Sequence, residues 1–443
     1  MRTKWLTWFL AATALAGIGQ TKATRWNQRE VSMANHVWTS TTGDVAAAAS
    51  WSSSVAPSTK ATGTLTIAAT VANGDTCTIR SKVYTFQTTL TDADGNVLIG
   101  ADFAASKANL IAAINLGAGA GTTYAASMTI HPEVTASDPG GNDMLVTAKL
   151  GGTAPNAYAT TETFTDALNI WGAATLAGGA INWASTDTVE FNGGSVVDAT
   201  LNLDQSAVTI TRITRTPAYT GKVGASGSPL SFIIAAKDTT GVFKGLVDRG
   251  SGTMYFKGAG TVGNNNVLCD STNIVDALVL DGAIDNVYIK SGLVRELSGV
   301  TTFAGTRIYV NGISAYLIVD SGADNVHDTI ELYSGTIECA SEIALSKRAR
   351  MYGGHWLQTG ILGSVNTKLE IFGGLFEYDN PQGLFIGDGI FLGGVLDMTK
   401  SGPGAYIDKD FVRGPNFILI RGTTALTLGA NINFNIDAGE EYP

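Results

Sequence analysis

The sequence predicts a mainly β chain: a parallel β-helix (β-solenoid) with about 20 residues per rung and a small inserted α+β domain. Three observations support this fold class. A short motif recurs at a nearly constant interval in the C-terminal half, the recurring units look like strands, and residues 62–164 differ in composition from the segments on either side. A constant interval of this length is typical of stacked repeats, in which each coil covers its neighbours.

The repeated motif is a short apolar run that leads into a small residue and a glycine. Four copies are clear and two upstream copies are weaker, and they end at Gly292, Gly312, Gly335, Gly354, Gly374 and Gly394. The runs are rich in Ile, Val, Tyr and Phe, which favours strands, and no helical period competes with them. A glycine at one place in every coil suits a corner that needs positive φ or close backbone approach. We therefore predict that each copy pairs with the coils above and below it.

Composition and charge exclude several classes of protein. The chain has 443 residues with 53 Gly, 10 Pro and 15% charged residues, which is typical of an all-β extracellular or virion protein. A net charge of −10 argues against a nucleic-acid-binding surface. The three cysteines and four histidines have neither metal-ligand spacing nor a disulfide framework, so we predict no metal and no cofactor.

The N-terminal residues 1–32 allow two interpretations. Arg2 and Lys4 precede an apolar run, as in a secretory signal peptide that is too short to form a stable membrane span. Alternatively, translation starts at Met33 and the upstream residues are a mis-called extension, because codons for residues 29–31 can form a ribosome-binding site. Both interpretations stay open on the protein sequence alone.

The remaining chain divides by composition into four parts. Residues 33–61 form a cap containing Trp38 and Trp51, with a partner segment expected at 181–191. Residues 62–164 form the inserted α+β module, 165–435 the parallel β-helix and 436–443 a C-terminal tail. An exposed end of a β-helix needs a cap because its last rung leaves an open edge.

Within the insert, the pattern predicts strands at 64–71, 76–79, 82–88, 133–137 and 144–149, with a hairpin link at Arg80-Ser81. One helix is predicted at 106–115, with Gly117 past its end. The run Asp92-x-Asp94-x-Asn96 is similar to the start of a calcium loop. The positions that such a loop needs for Gly and a bidentate Glu hold Val97 and Phe103, so we predict a hairpin turn instead.

Several short motifs in the insert occur in a familiar order. They are Gly74-Asp75-Thr76, Val83–Phe86, Val97–Gly100, 109–115, Gly121–Tyr124, Val146–Lys149 and Asn156-Ala157. This run resembles a small module that recurs in tailed-phage virion proteins, and residues 202–209 and 219–224 resemble phage structural β-solenoid proteins. The resemblance implies a tail or head surface, where β-helices often assemble as homotrimers. It carries no catalytic residues.

The candidate site lies on the coils around the second and third clear repeats. Arg350, Tyr352 and Trp356 are the candidate binding residues, with the Trp ring as a platform for sugars. If the chain is an enzyme, the candidate catalytic residues are His355, Glu370, Glu377 and Asp379. Paired carboxylates would serve a glycoside hydrolase and a proton-abstracting base would serve a lyase. Repeat position alone also explains Glu331 and Glu370, which fall at equivalent outward positions.

These observations predict a non-enzymatic virion structural protein that serves assembly and adhesion to a host surface or glycan. Its expected partners are other virion proteins and cell-surface polysaccharide, with no nucleic acid and no membrane span. One alternative is a secreted or tailspike-type polysaccharide-degrading enzyme with a groove along the β-helix. A second is a bacterial surface adhesin, which requires a genuine signal peptide. The expected location is accordingly the virion, or the extracellular space in the alternatives.

Overall fold

The computed structural model describes residues 34–235, 244–259, 266–275, 277–282, 284–296, 306–320, 328–340, 348–360, 363–379, 384–391, 394–398, 406–408, 418–420, 425–428 and 433–434. The predictions for residues 1–32 and for the tail at 436–443 lie outside the described residues. Within the described ranges strands dominate, and one α-helix is present. The predicted fold class is confirmed: the chain is mainly β and contains a parallel β-solenoid.

The solenoid is a single sheet that winds around its own core. Its strands are β1 Asn35–Val37, β11 Thr188–Phe191, β12 Asp204–Ile210, β13 Arg212–Arg215, β14 Leu230–Ile234, β15 Gly245–Asp248, β16 Met254–Ala259, β17 Asn266–Asp270, β18 Leu278–Gly282, β19 Asn286–Glu296, β20 Arg307–Val319, β21 Thr329–Cys339, β22 Arg348–Met351, β23 His355–Gln358, β24 Gly363–Ile371, β25 Leu375–Tyr378, β26 Leu384–Phe391, β27 Val395–Met398, β28 Tyr406–Asp408, β29 Ile418–Ile420, β30 Ala425–Leu428 and β31 Asn433–Phe434. Strands of successive coils pair in parallel.

Register positions define an inward column of apolar side chains along the first face of the solenoid. The column runs through Val189, Ile213, Leu246, Val267, Val287, Ile308, Ile330, Ala349 and Leu369, all fully buried. From 267 onward the step from one coil to the next is 19 to 22 residues, as the glycine spacing predicts. A second face carries its own inward column at Val294, Leu317, Ile337, Trp356 and Phe376.

The repeated glycines form the corner between these two faces. Gly335, Gly354, Gly374 and Gly394 have φ between 81° and 96°. A Cβ built on Gly354 would lie 2.5 Å from the carbonyl oxygen of Gly335, and one on Gly374 would lie 2.6 Å from that of Gly354. Each corner therefore needs glycine for two reasons, the left-handed backbone and the close approach of the preceding coil.

One inward position of the solenoid holds a buried ion pair. Another inward column of the first face holds one residue from each of four successive coils, in the order Phe191, Arg215, Asp248 and Cys269. Both charged side chains are fully buried, with Nε and Nη2 of Arg215 donating to the two Asp248 oxygens at 2.6 and 2.8 Å. Burial raises the pKa of the Asp248 carboxyl, and the guanidinium opposes this. The bidentate geometry is what makes the pair tolerable inside the core.

The N-terminal end of the solenoid is covered by strand β1, which pairs in parallel with β11. Trp51 packs edge-on against Trp38 and Trp183, with ring centroids 5.1 and 5.0 Å apart. His36 stacks on Trp183 at 3.9 Å and contacts the Asp187 carboxylate through Nε2 at 3.0 Å. The three indoles thus close the first coil with apolar surface, and each indole N–H donates to a backbone carbonyl.

Between β1 and β11 the chain forms two small sheets around a separate hydrophobic core. Their strands are β2 Ser58–Thr66, β3 Thr76–Ile79, β4 Lys82–Gln87, β5 Asn96–Leu98, β6 Val134–Gly140, β7 Asp143–Gly151, β8 Thr160–Glu162, β9 Ile170–Trp171 and β10 Ala180–Ile181, with helix α1 Phe103–Asn115. Because β2 pairs with both β9 and β10, this unit spans 58–181, wider than the predicted 62–164. The solenoid correspondingly resumes at β11 and not at 165.

Two local predictions in the insert are corrected. Helix α1 begins at Phe103, three residues before the predicted start, because the Asp102 side chain caps it by accepting a hydrogen bond from the Ala105 N–H at 2.7 Å. The predicted hairpin at 92–96 is wrong, since β4 and β5 are parallel. Asp92 and Asp94 instead accept hydrogen bonds from the backbone of Ser127 and Thr129. The hairpin at Arg80-Ser81 joins antiparallel β3 and β4, as predicted.

Candidate binding face

The outward residues of β21, β22 and β24, and those just after these strands, form a surface that we call the ladder face. Its members are Glu331, Tyr333, Arg350, Tyr352, Glu370 and Phe372. Parallel pairing without a shift places Glu331, Arg350 and Glu370 directly over one another on three successive coils. The coil spacing of about 4.8 Å lets side chains of adjacent members touch.

The charged column of the ladder face is internally paired. Arg350 donates through Nε to Glu370 at 2.5 Å and approaches Glu331 through Nη1 at 3.3 Å. Arg348 adds a second contact to Glu370 at 3.3 Å. The Glu370 carboxylate raises the pKa of the Arg350 guanidinium, chiefly by accepting its hydrogen bond. The predicted catalytic candidate of this column, Glu370, is thus held by two cations, and Glu331 is held by one of them.

The aromatic column of the ladder face is a continuous stack. Tyr333 and Tyr352 lie with ring centroids 4.7 Å apart and Tyr352 and Phe372 with centroids 5.0 Å apart, each pair within 9° of parallel. Stacking covers ring faces and leaves ring edges in solvent, so Tyr333 and Tyr352 are 40% and 39% exposed. The Tyr333 hydroxyl donates to Glu331 at 2.6 Å, which raises the pKa of Tyr333 to about 12. The face therefore presents aromatic edges and hydroxyls beside paired charges.

The other catalytic candidates lie on the second face, beyond the glycine corner. Nε2 of His355 lies 3.1 Å from an oxygen of Glu377. Glu377 is on the next coil, two residues after Leu375, which is the register neighbour of His355. Glu377 is mostly buried, whereas the His355 side chain is 38% exposed. Asp379 follows the end of β25 and donates its backbone N–H to the Gln358 carbonyl at 2.8 Å. The structure thus pairs His355 with Glu377 and Arg350 with Glu370, on two different faces.

The expected role of Trp356 as a sugar platform is not supported by its position. Trp356 is fully buried, lies over Phe376 with centroids 5.6 Å apart and donates its indole N–H to Gln358 at 3.2 Å. Trp356 is a core residue of the second face. His355, immediately after the corner glycine, points outward, so the next residue along the strand, Trp356, points inward. Of the predicted binding residues, Arg350 and Tyr352 lie on the surface.

Sequence reasoning missed Tyr333 and Phe372 as members of the aromatic column. The signal was present, because residues 333, 352 and 372 each directly precede the small residue and glycine that end a repeat. A ring at one repeat position in three consecutive coils must stack if the strands are in register. Reading the repeats as an alignment of columns would have found the stack.

No group of three or more His, Cys, Asp or Glu side chains is placed to hold a metal ion within the described ranges. In the same part of the chain, no helix combines the length and apolar character needed to cross a bilayer. No family model, curated protein or solved structure matches the chain. The function must therefore be argued from the geometry of the faces themselves.

Proposed function

We propose that this chain is a non-enzymatic structural protein whose solenoid is a rigid element and whose ladder face contacts a polyhydroxylated surface such as a glycan. The observation that carries the proposal is the pairing of the Glu331 and Glu370 carboxylates with Arg350. A carboxylate that is committed to a guanidinium is a poor proton donor, and a nucleophilic role would require breaking the pair. The partly exposed tyrosine rings and the accessible edge of the Arg350 guanidinium suit contact with sugars.

We further propose that this element belongs to the surface of a virion, on its tail or head, with other virion proteins as partners and trimeric assembly. The support for this part is the resemblance of the motifs between Gly74 and Ala157 to a module of tailed-phage proteins. A stack of parallel coils suits the setting, because its strands expose little unpaired backbone along their length. Mass spectrometry of purified particles tests the location, and recovery of the chain only from culture supernatant would contradict it.

The adhesion proposal is tested by binding of the purified protein to isolated bacterial surface polysaccharides. Tyr352→Ala removes the central ring of the stack and should weaken binding by about tenfold, the equivalent of one lost aromatic contact. Tyr288→Ala is the matched control, because Tyr288 stacks on Tyr309 at 4.9 Å and is 37% exposed, but lies two coils away from the ladder face. Equal weakening by both substitutions would contradict a role for the ladder face.

A second candidate function is a polysaccharide-degrading enzyme, which one specific observation favours. His355 and Glu377 form a hydrogen-bonded pair in which the carboxylate is buried and the imidazole is accessible. A carboxylate that orients a histidine is a common arrangement for a general base. Release of reducing ends or unsaturated sugars from bacterial polysaccharides tests it. Release that His355→Ala or Glu377→Gln abolishes, with the fold retained, would replace the structural proposal.

A further inference from the structure

A cavity of about 520 Å³ lies where the insert meets the first coils of the solenoid, far along the chain from the ladder face. Lys60 and Lys149 line it from strands β2 and β7 of the insert. The solenoid contributes Asp204, Ser231 and Lys257, which are register neighbours on three successive coils. The cavity therefore exists only because two separately cored parts of the chain are joined.

The charge of this cavity opposes that of the whole chain. Within the part of the chain that the structure describes, its ionisable lining consists of Lys60, Lys149, Lys257 and the single carboxylate of Asp204, while the chain carries a net charge of −10. An excess of ammonium groups in a concave site attracts anions and orients them. Such an excess within an acidic protein indicates a ligand that bears negative charge.

The remaining lining is hydroxyl and amide, with Asn202, Gln205, Ser206, Ser228 and Ser231 among its members. Among the described residues, no aromatic ring lines the cavity. A volume in this range accommodates one or two sugar rings, and a lining of hydroxyls and amides matches a ligand that is itself covered in hydroxyls. An inorganic anion alone would leave most of these groups without a ligand partner.

Part of the site is held rigidly before any ligand enters. The Gln205 amide is buried, accepts from the Ser58 hydroxyl at 3.1 Å and donates to the Asn202 carbonyl at 2.9 Å. Lys60 reaches the Asn202 side chain at 3.3 Å and Lys149 reaches the His131 carbonyl at 2.6 Å. These bonds position the wall and the ammonium groups of Lys60 and Lys149, which lowers the ordering cost of binding.

From this geometry we propose that the cavity between the insert and the solenoid binds an acidic saccharide, with its carboxylate at the lysines and its hydroxyls at the Asn, Gln and Ser side chains. This inference goes beyond the proposed function, since it concerns a second site with different residues. Bound saccharide would contact both parts of the chain and so stabilise their junction.

Isothermal titration calorimetry of the full chain with digalacturonate tests the proposal. Wild type should bind, and Lys257→Gln should weaken binding by about tenfold through loss of one charge-assisted hydrogen bond. Lys60→Gln is a second variant with the same expected effect. Lys290→Gln is the matched control, because Lys290 is an exposed lysine of the solenoid outside the cavity. The thermal midpoint of each variant checks that the fold is retained.

The outcomes separate acidic saccharides from other ligands. Binding of digalacturonate should exceed that of the neutral galactose disaccharide and of inorganic phosphate, and should fall as salt is raised. No binding to wild type, equal weakening by Lys290→Gln, or phosphate binding as tight as digalacturonate would each overturn the proposal. Tyr352→Ala should leave this binding unchanged, so that failure here and failure of the ladder-face proposal are distinguishable.

Discussion

At the scale of single residues, the corner glycines decide whether successive coils can stack. Gly354 combines φ of +81° with the Gly335 carbonyl oxygen 2.5 Å from the position of a Cβ. Gly227 has a similar φ of +77° but nothing within 4 Å of that position. Comparing alanine substitutions at Gly354 and Gly227 therefore separates two losses of folding stability: the loss from the left-handed backbone and the loss from the close approach of the preceding coil.

Gly354→Ala should destabilise the solenoid more than Gly227→Ala. The left-handed backbone alone costs about 1–2 kcal/mol for a residue with a Cβ, and at Gly354 the carbonyl of the preceding coil must also move. Urea unfolding followed by circular dichroism measures both losses. Equal losses for the two variants would show that the contact between coils contributes nothing.

His131 is a buried residue whose hydrogen bonds require a neutral ring. Its Nδ1 accepts from the backbone N–H groups of Glu133 and Val134 at 3.1 and 3.2 Å, and its Nε2 lies 3.2 Å from the Ile79 carbonyl. Burial lowers the pKa of the imidazole, and the nearby cations Lys82, Lys149 and Arg80 act in the same direction. A proton on Nδ1 would remove both accepted bonds.

The insert should therefore lose stability on acidification. Below the unfolded-state pKa of about 6.5 the unfolded chain binds a proton that the folded chain does not, so stability is fully present above that pH and declines below it. Amide hydrogen exchange of β3, β6 and β7 between pH 7 and pH 5 measures the decline. His131→Gln should flatten this dependence, and an unchanged slope would assign it to other groups.

At the scale of elements, the N-terminal cap protects the first coil. Strand β1 supplies the pairing for β11, and Trp51 fills the space between Trp38 and Trp183. In a stacked architecture each coil depends mainly on its neighbours, so damage at one end should stay local.

Trp51→Ala should cost about 3–5 kcal/mol locally, as expected for removing a large buried ring. Hydrogen exchange should accelerate at β11 and β13 while β20 and β21 stay protected. Trp171→Ala is the matched control, because Trp171 lies in the core of the insert and its loss should affect β2 instead. Uniform acceleration along the whole solenoid after Trp51→Ala would contradict coil-by-coil stability.

At the scale of the whole molecule, the insert leaves and rejoins the solenoid at one place. The Asn182 N–H donates to the Pro57 carbonyl at 3.0 Å, and Trp183 donates its indole N–H to Val55 at 3.1 Å. The insert also has a hydrophobic core distinct from that of the solenoid. Its removal should therefore leave the pairing of β1 with β11 possible.

Excision of residues 58–181, with Pro57 joined to Asn182 through a short glycine linker, should yield a folded solenoid. The expected result is a cooperative unfolding transition and a retained β-rich circular dichroism spectrum, because neither the cap nor the inward columns lie within the insert. Residues 58–181 expressed alone should also fold. An excised chain that aggregates or binds a hydrophobic dye would show that the insert is needed to form the first coils.

The sequence by itself determined the repeating architecture, the corner glycines, the hairpin at Arg80-Ser81 and the existence of one helix in the insert. These features depend on local chemistry: strand-forming side chains, positive φ and short-range pairing. The charges of Arg350 and Glu370 at equivalent repeat positions were also visible, but their mutual distance was not.

The tertiary structure alone decided which side chains point inward. A corner glycine resets the alternation of a strand, so that His355 lies outside and Trp356 inside. Arg215 and Asp248 are buried by ordinary alternation, two residues after the inward Ile213 and Leu246, and their pairing depends on the stacking of two coils. Pairing across more than a hundred residues fixed the insert at 58–181, and a crossover made β4 and β5 parallel. The cavity lined by Lys60 and Lys257 likewise needs two distant segments. Its existence follows from long-range packing, which no local pattern in the chain encodes.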